Sequence, residues 1–387
     1  MEFALRVRPE VLGARLRNAR TIARLTQEAA AKALGVARTT IVAIEAGKRQ
    51  ITAEELRAFA ELYRASESEL LSGARQSLDM DVKFRSAGAV GEHEVEQMAV
   101  GALLNRLASS TLELEELLNT RAPKLDFPTI DVNPDVPVDQ QAEDAALALR
   151  QRLGVGLGPI PDLTALMESD LGIRVFERPL PSKVSGAVAF DDSYGAFVLL
   201  NSNHPATRRR QTAGHEICHP LLRKTGLAVL FEDDDFNEKE DKFCDAFGRA
   251  LLMPAATVRR KVTDLRALAG TFTVRHVLMM AIYFYVSIEA MTRRLEYLGL
   301  VPKGQFDSLK ERGLGTRHLE EVRKEVGGEL ESSRFTPRSL LLAGVAFDRE
   351  LMSEQQIAKK LELDLVTVRK VLAEVSESGD AGFDPAT

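Results

Sequence analysis

Only two of the 387 residues are cysteine, Cys218 and Cys244. That is too few for a disulfide framework, and a reducing interior is the expected setting. Long apolar runs are also missing. The longest, Val277–Ile288, is well short of the roughly 20 residues a membrane helix needs, and tyrosines and a serine interrupt it. The opening residues, MEFALRVRPE, put charges where a secretion signal needs its apolar stretch. No internal repeat or low-complexity tract is visible. These absences exclude a stapled secreted scaffold, a membrane span and a disordered chain, and they lead to the expectation of a cytoplasmic protein with no membrane partner. Hydrophobic residues make up 45% and charged residues 28%, the balance of an ordinary globular chain, and the length suggests two to four domains.

The net charge of −6 conceals an asymmetry. Residues 1–75 carry 13 Lys and Arg against 9 Asp and Glu, so this stretch is basic and the remainder acidic. A basic module on an acidic body points towards nucleic acid at one end only.

Within residues 9–72, apolar positions recur at helical spacing, as in Leu12, Leu16, Ala19 and Ala23. Thr26 is suited to cap a helix over Gln27–Leu34, and Gly35 to end it. A second helix is expected over Thr39–Ala46, closed by Gly47, and another over Ala53–Tyr63. The layout of residues 25–52 is that of a helix-turn-helix: the first helix lies across the phosphates, and the second offers its leading residues to base edges in the major groove. Those residues are Ala37, Arg38, Thr39, Thr40 and Ala43, while Ile41 and Ile44 belong to the core. Arg38 suits a guanine, and Thr39 and Thr40 suit phosphates or a thymine methyl. Gln27 is placed for a phosphate or base, and Lys48 and Arg49 for phosphates. The LTQ, LGV and IEAGKR segments fall in the register of the phage-repressor (Cro/cI, or XRE) helix-turn-helix, which this stretch resembles. That resemblance implies double-stranded operator DNA as the partner and a homodimer as the binding form.

The other informative segment is His215-Glu216-Ile217-Cys218-His219. On a helix, residues four apart share a face, so two imidazoles there can hold one zinc ion with Glu216 beside its open position. Zinc acidifies its bound water, and a neighbouring glutamate takes the proton as that water attacks a peptide carbonyl. A third ligand is needed, and residues 237–254 (NEKEDKFCDAFGRALLMP) supply acidic residues just before a strongly apolar helix.

PIPDLTALMESDLGIRVF, the HEICH helix, KFCDAFGRALLMP and VSIEAMTRRLEYLGLV together resemble the ImmA/IrrE metallopeptidase family over about residues 140–301. The family implies a zinc peptidase that cuts or inactivates repressor proteins. Carried over by position, His215 and His219 are metal ligands and Glu216 is the general base. The family's third ligand, a glutamate three residues before a small residue, corresponds here to Asp241, with Cys244 in the small-residue place and Glu240 and Glu238 as fallbacks. Three departures stand out: the shorter Asp241, Cys218 where glycine is usual, and Pro220. Proline removes an N–H and disfavours helical geometry at the preceding residue, so the helix is expected to kink or end at His219.

The expected fold is mainly α with a small β-sheet (α+β). The expected boundaries are 1–75 for the DNA-binding module, 76–138 for a helical connector (a long helix near Glu92–Leu118) and proline-bearing linker, 139–302 for the peptidase-like domain and 303–387 for a helical C-terminal region. Strands are expected at Ile173–Phe176, Gly186–Phe190 and Ala196–Leu200, with helices from Pro205 onwards. Residues 353–372 have a weaker helix-turn-helix look without a turn glycine, read mainly as a packing or oligomerisation element. Three functional readings stay open: a regulator with an active zinc peptidase, a regulator whose peptidase fold is a catalytically degenerate sensor or structural module, and an antitoxin.

Overall fold

The computed structural model describes residues 9–23, 25–63, 65, 67–71, 94–120, 129–192, 194–223, 226–231, 239–326 and 336–379. Glu238, His93 and the start of the expected linker (122–128) lie outside the described residues. The chain divides into two compact units, Met1–Asp79 and Met80–Thr387.

The first unit comprises α1 (Pro9–Ile22), α2 (Gln27–Leu34), α3 (Arg38–Glu45), α4 (Ala53–Tyr63) and α5 (Glu67–Leu71). The Thr26 hydroxyl caps α2 by accepting from the Ala29 N–H, and Gly35 leaves it at φ 66°, a left-handed conformation that glycine adopts without strain. The Val36 N–H then closes the turn on the Ala31 carbonyl. Leu12, Leu16, Ala30, Ala31, Ile41, Ile44, Leu56, Phe59 and Tyr63 form the core. Gly13 lets α1 lie against the end of α3: a Cβ there would come within 2.3 Å of the Ile44 carbonyl oxygen.

In the second unit, α6 (Glu94–Leu117) and α7 (Val138–Arg152) lead to a short α8 (Leu163–Ala165) that runs into a π-helical turn, Leu166–Asp170. Strands β1 (Arg174–Arg178), β2 (Val184–Asp191) and β3 (Gly195–Asn201) precede α9 (Ala206–Glu216), α10 (Cys218–Leu221) and β4 (Gly226–Phe231). Helices complete the chain: α11 (Lys239–Leu252), α12 (Ala255–Ala269), α13 (Val274–Tyr283), α14 (Ile288–Tyr297), α15 (Gln305–Glu311), α16 (Thr316–Val326), α17 (Pro337–Asp348), α18 (Glu354–Leu361) and α19 (Leu365–Gly379). The architecture is mainly α with one small mixed sheet, ordered β1-β3-β2-β4, in which β1 and β3 are parallel and the other pairs antiparallel. Strand β4 was not expected from sequence. Its six residues, GLAVLF, lack the period that separates a short strand from a buried helical segment. No single helix among the described residues is long and apolar enough to cross a membrane.

Helices α6, α17, α18 and α19 share a core that includes Leu114, Leu342, Ala346, Ile357, Leu361, Val368 and Leu372. The α18–α19 turn repeats the α2–α3 turn position for position, although no internal repeat is visible in the sequence. Ser353 caps as Thr26 does, and Glu362 stands left-handed (φ 50°) where Gly35 does. The Leu363 N–H closes on the Ala358 carbonyl as Val36 closes on Ala31. A buried carboxylate ties this region to the sheet: Glu115 of α6 accepts from Arg174 of β1 at 2.6 and 2.9 Å and from Arg338 of α17 at 2.8 and 3.0 Å.

Candidate functional site

Helix α9 does not run unbroken into the second histidine. It pauses at Ile217, and Cys218–Leu221 form a separate turn that contains Pro220. The break expected at His219 thus falls two residues earlier, and Ile217 keeps right-handed helical dihedrals (φ −59°, ψ −31°), so the path is hardly deflected. The imidazoles remain together, with Nε2 atoms 3.2 Å apart and ring centroids 5.2 Å apart. Both rings are buried, and burial lowers His215 to about 4, which favours a neutral ring at neutral pH. At 3.2 Å the two ring nitrogens are placed to share a proton or a cation between them.

Glu216 is 1% exposed. Its Oε2 lies 3.8 Å from His219 Nε2, and its Oε1 has no hydrogen-bond partner. Burial raises its proton affinity well above the usual carboxylate range, and the Asp241 charge adds to the rise. Gly186 of β2 lets α9 pack closely on the sheet: a Cβ there would stand 2.7 Å from the Thr212 methyl and 2.8 Å from the Leu199 carbonyl oxygen.

The opposite wall is α11, and small residues decide how closely it approaches. A Cβ on Gly248 would fall 2.9 Å from the Gly214 carbonyl carbon and the His215 nitrogen, so the backbones of α9 and α11 touch there. One helical turn back along α11, and one forward along α9–α10, Cys244 meets Cys218 in a thiol–thiol hydrogen bond. Both thiols are reduced and fully buried. Burial pushes the Cys244 thiol well up, and Cys218 reinforces this. The ligand atoms of His215, His219 and Cys244 all lie within 4.8 Å of one another. Asp241 stands one turn earlier in α11, half-buried, close enough to act on Glu216 and Cys244 but outside that three-atom group. Glu240, half-buried beside it, is also outside the group. The donor set suits a metal ion: two buried imidazoles, a thiol and an unsatisfied carboxylate oxygen on converging elements.

Sequence reasoning read Cys244 chiefly as a small buried residue. The signal that could have found it is the ladder of small residues, Gly214 with Gly248 and Cys218 with Cys244, which pairs the two segments in antiparallel register. The remaining described histidines serve the backbone. His276 caps α13, His318 accepts from the Gly315 N–H, and His204 lies in the loop after β3 within reach of Asn201 and the Ser182 carbonyl.

In the first unit, Arg38, Thr39, Lys48 and Arg49 are exposed and Thr40 is half-buried. Helix α3 begins at Arg38, one residue before the expected start. Two of the expected contacts are engaged within the fold. Gln27 Nε2 donates to Glu45 Oε2 at 2.9 Å, and Arg49 pairs with Glu55 at 2.7 Å. Glu45, which sequence reasoning passed over, also takes Arg20 at 2.6 and 3.2 Å.

The two units thus define a helix-turn-helix of the DNA-binding kind and a metallopeptidase-like domain. Residues 11–72 match the family described as helix-turn-helix domain, and residues 168–296 match the IrrE N-terminal-like domain. The chain carries both, the fusion of XRE-type reader and ImmA/IrrE-type domain that its motifs resemble. No curated protein matches it. The crystal structure of ComR from Streptococcus suis aligns with 97% of this chain and 96% of its own at 10% identity, with a TM-score of 0.16, an overlap too loose to bear on the fold.

Proposed function

We propose that this chain is a transcription regulator that binds operator DNA through α2 and α3 and carries a zinc-dependent peptidase centre acting on a repressor-type protein. The observation that carries the reading is the pair of buried Nε2 atoms 3.2 Å apart beside the unsatisfied oxygen of Glu216. His215 and His219 hold the metal, with a third ligand from the first two turns of α11, where Asp241 has the family's ligand position. Zinc bound there supplies an acidified water and a Lewis acid for a peptide carbonyl. Glu216 accepts the proton and returns it to the leaving amine. Arg38, Thr39 and Thr40 face the bases, with Gln27, Lys48 and Arg49 towards phosphates, and the reader works as a homodimer on a near-palindromic site.

A second reading, a metal sensor or structural centre without catalysis, is favoured by one observation: His215, Glu216 and His219 are at most 5% exposed, which leaves little access for a peptide. The discriminating experiment measures the metal content of the purified full chain and then cleavage of a candidate repressor by the wild type and Glu216→Gln. About one zinc per chain, with cleavage lost only in the variant, supports the peptidase. Bound zinc with no cleavage by either protein supports the sensor. No zinc in the wild type, or cutting by Glu216→Gln, sinks the assignment of Glu216 as base.

A further inference from the structure

We infer that Cys244, as a thiolate, is the third protein ligand of the metal centre, giving a His2Cys site with Glu216 and Asp241 beside the ion and not bound to it. The inference rests on the metal reading proposed above and deepens it.

Distance is the first argument. Zinc bonds of about 2.0–2.1 Å to imidazole and about 2.3 Å to sulfur set neighbouring tetrahedral ligands roughly 3.3–3.6 Å apart. The two Nε2 atoms already stand at 3.2 Å, and the Cys244 sulfur completes a triangle with no side above 4.8 Å. No Asp or Glu oxygen joins that group among the described residues.

Rigidity is the second. Gly214 and Gly248 press the two backbones together, so the separation of α9 from α11 is fixed by contact. Cys244 sits one turn from that contact and is fully buried. Asp241 is a further turn towards the start of α11 and half-buried. A ligand set needs positions held to a few tenths of an ångström, and Cys244 has the better support.

Chemistry is the third. A thiolate buried among apolar side chains is costly unless a cation or a donor faces it. The two imidazoles aim at the point where the cation would stand, and that cation would supply the charge a buried Cys244 thiolate needs. Sulfur also makes the site more selective for soft ions than a carboxylate would. Zinc and cadmium are therefore held tightly, and magnesium and calcium are rejected.

The test uses the full chain, stripped by chelator and reloaded with one equivalent of cobalt(II). The wild type and Cys218→Ala should both show the near-ultraviolet sulfur-to-cobalt charge-transfer absorption of one thiolate. Cys244→Ala and the closer-sized Cys244→Ser should lose it and bind cobalt at least tenfold more weakly, since even supporting residues of a metal site cost 10–100-fold when removed. Asp241→Asn should keep both band and stoichiometry. X-ray absorption on the zinc-loaded wild type needs no variant and should find one sulfur neighbour at about 2.3 Å. Cobalt bound without the band, together with metal loss in Asp241→Asn, overturns the inference in favour of the carboxylate. A band that falls by half in Cys218→Ala overturns it in favour of two sulfurs. If the wild type takes up neither metal, the metal reading itself fails, and this inference with it.

Discussion

In the helix-turn-helix unit, Arg38, Thr39, Lys48 and Arg49 stand in solvent over a core made almost entirely of apolar side chains. In the larger unit, His215, Glu216 and His219 are themselves part of the interior, among Cys218, Cys244, Phe243 and Phe247. The contrast sets how each region responds to change. A reader whose working groups are exposed can lose affinity without losing stability. A centre built from buried polar groups cannot be altered without also altering the packing that holds it, because each such group is costly to bury without its partner.

The largest effect should come from Gly248→Ala. Its methyl group would meet backbone atoms at 2.9 Å, which cannot move aside as a side-chain end can. We expect a loss of about 3 kcal/mol or more in the larger unit and weakened metal uptake, with operator binding kept. Calorimetry and a gel-shift titration check this, and an unchanged melting temperature would refute the backbone contact. Next is zinc itself. At a hundredfold its Kd it should stabilise the larger unit by about 2.7 kcal/mol, and a chelator should reverse the gain. Protection of amides on α9 and α11 by zinc, but not on α1–α4, is the hydrogen-exchange signature.

In the reader, Glu45→Ala strips Arg20 and Gln27 of their shared acceptor. Since Arg20 and Glu45 are 12% and 5% exposed, the cost should be about 2 kcal/mol, read from urea unfolding of the reader. Arg38→Ala sharpens the contrast most directly. Operator affinity should fall by roughly 1–3 kcal/mol, with no shift in melting temperature. Equal loss on every DNA sequence would make Arg38 a phosphate contact instead of a base reader.

The smallest effect concerns Glu168, which burial pushes up to about 7 against the opposing pull of Thr336 and Arg338. The folded carboxyl binds its proton more tightly than the unfolded one, so stability is greatest below about pH 4.5 in this respect and declines as pH rises through 7. Glu168→Gln should flatten that decline. A melting curve series from pH 5 to 8 that slopes equally in both proteins would remove Glu168 as its cause.

Much of this was legible in the sequence because the signals were local. Thr26, Gly35 and the apolar spacing of α2 and α3 fix a turn within about 20 residues, and His215 and His219 share a helix face by spacing alone. Less legible was whatever depends on chain segments meeting. Cys244 reaches the histidines only because Gly214 and Gly248 let two helices touch. Strand β4 exists because β2 leaves an edge for it to pair with. The α18–α19 turn is legible only as a weaker helix-turn-helix pattern, because Glu362 holds the left-handed position that glycine usually marks.

The shared carboxylate of Glu115 bears on how this protein can be cut down. A shortened chain ending near residue 301 would keep the recognised domain and Arg174 but discard Arg338, leaving a buried anion with half of its cations. Arg174 would still balance the charge, but the lost charge-assisted hydrogen bonds from Arg338 would cost about 1.5–3 kcal/mol, a sizeable share of what holds a domain of this size together. The smallest truncation that keeps both arginines on Glu115 therefore runs from α6 through α17. What can be inherited, expressed or transplanted as one piece is larger than the stretch by which its family is recognised.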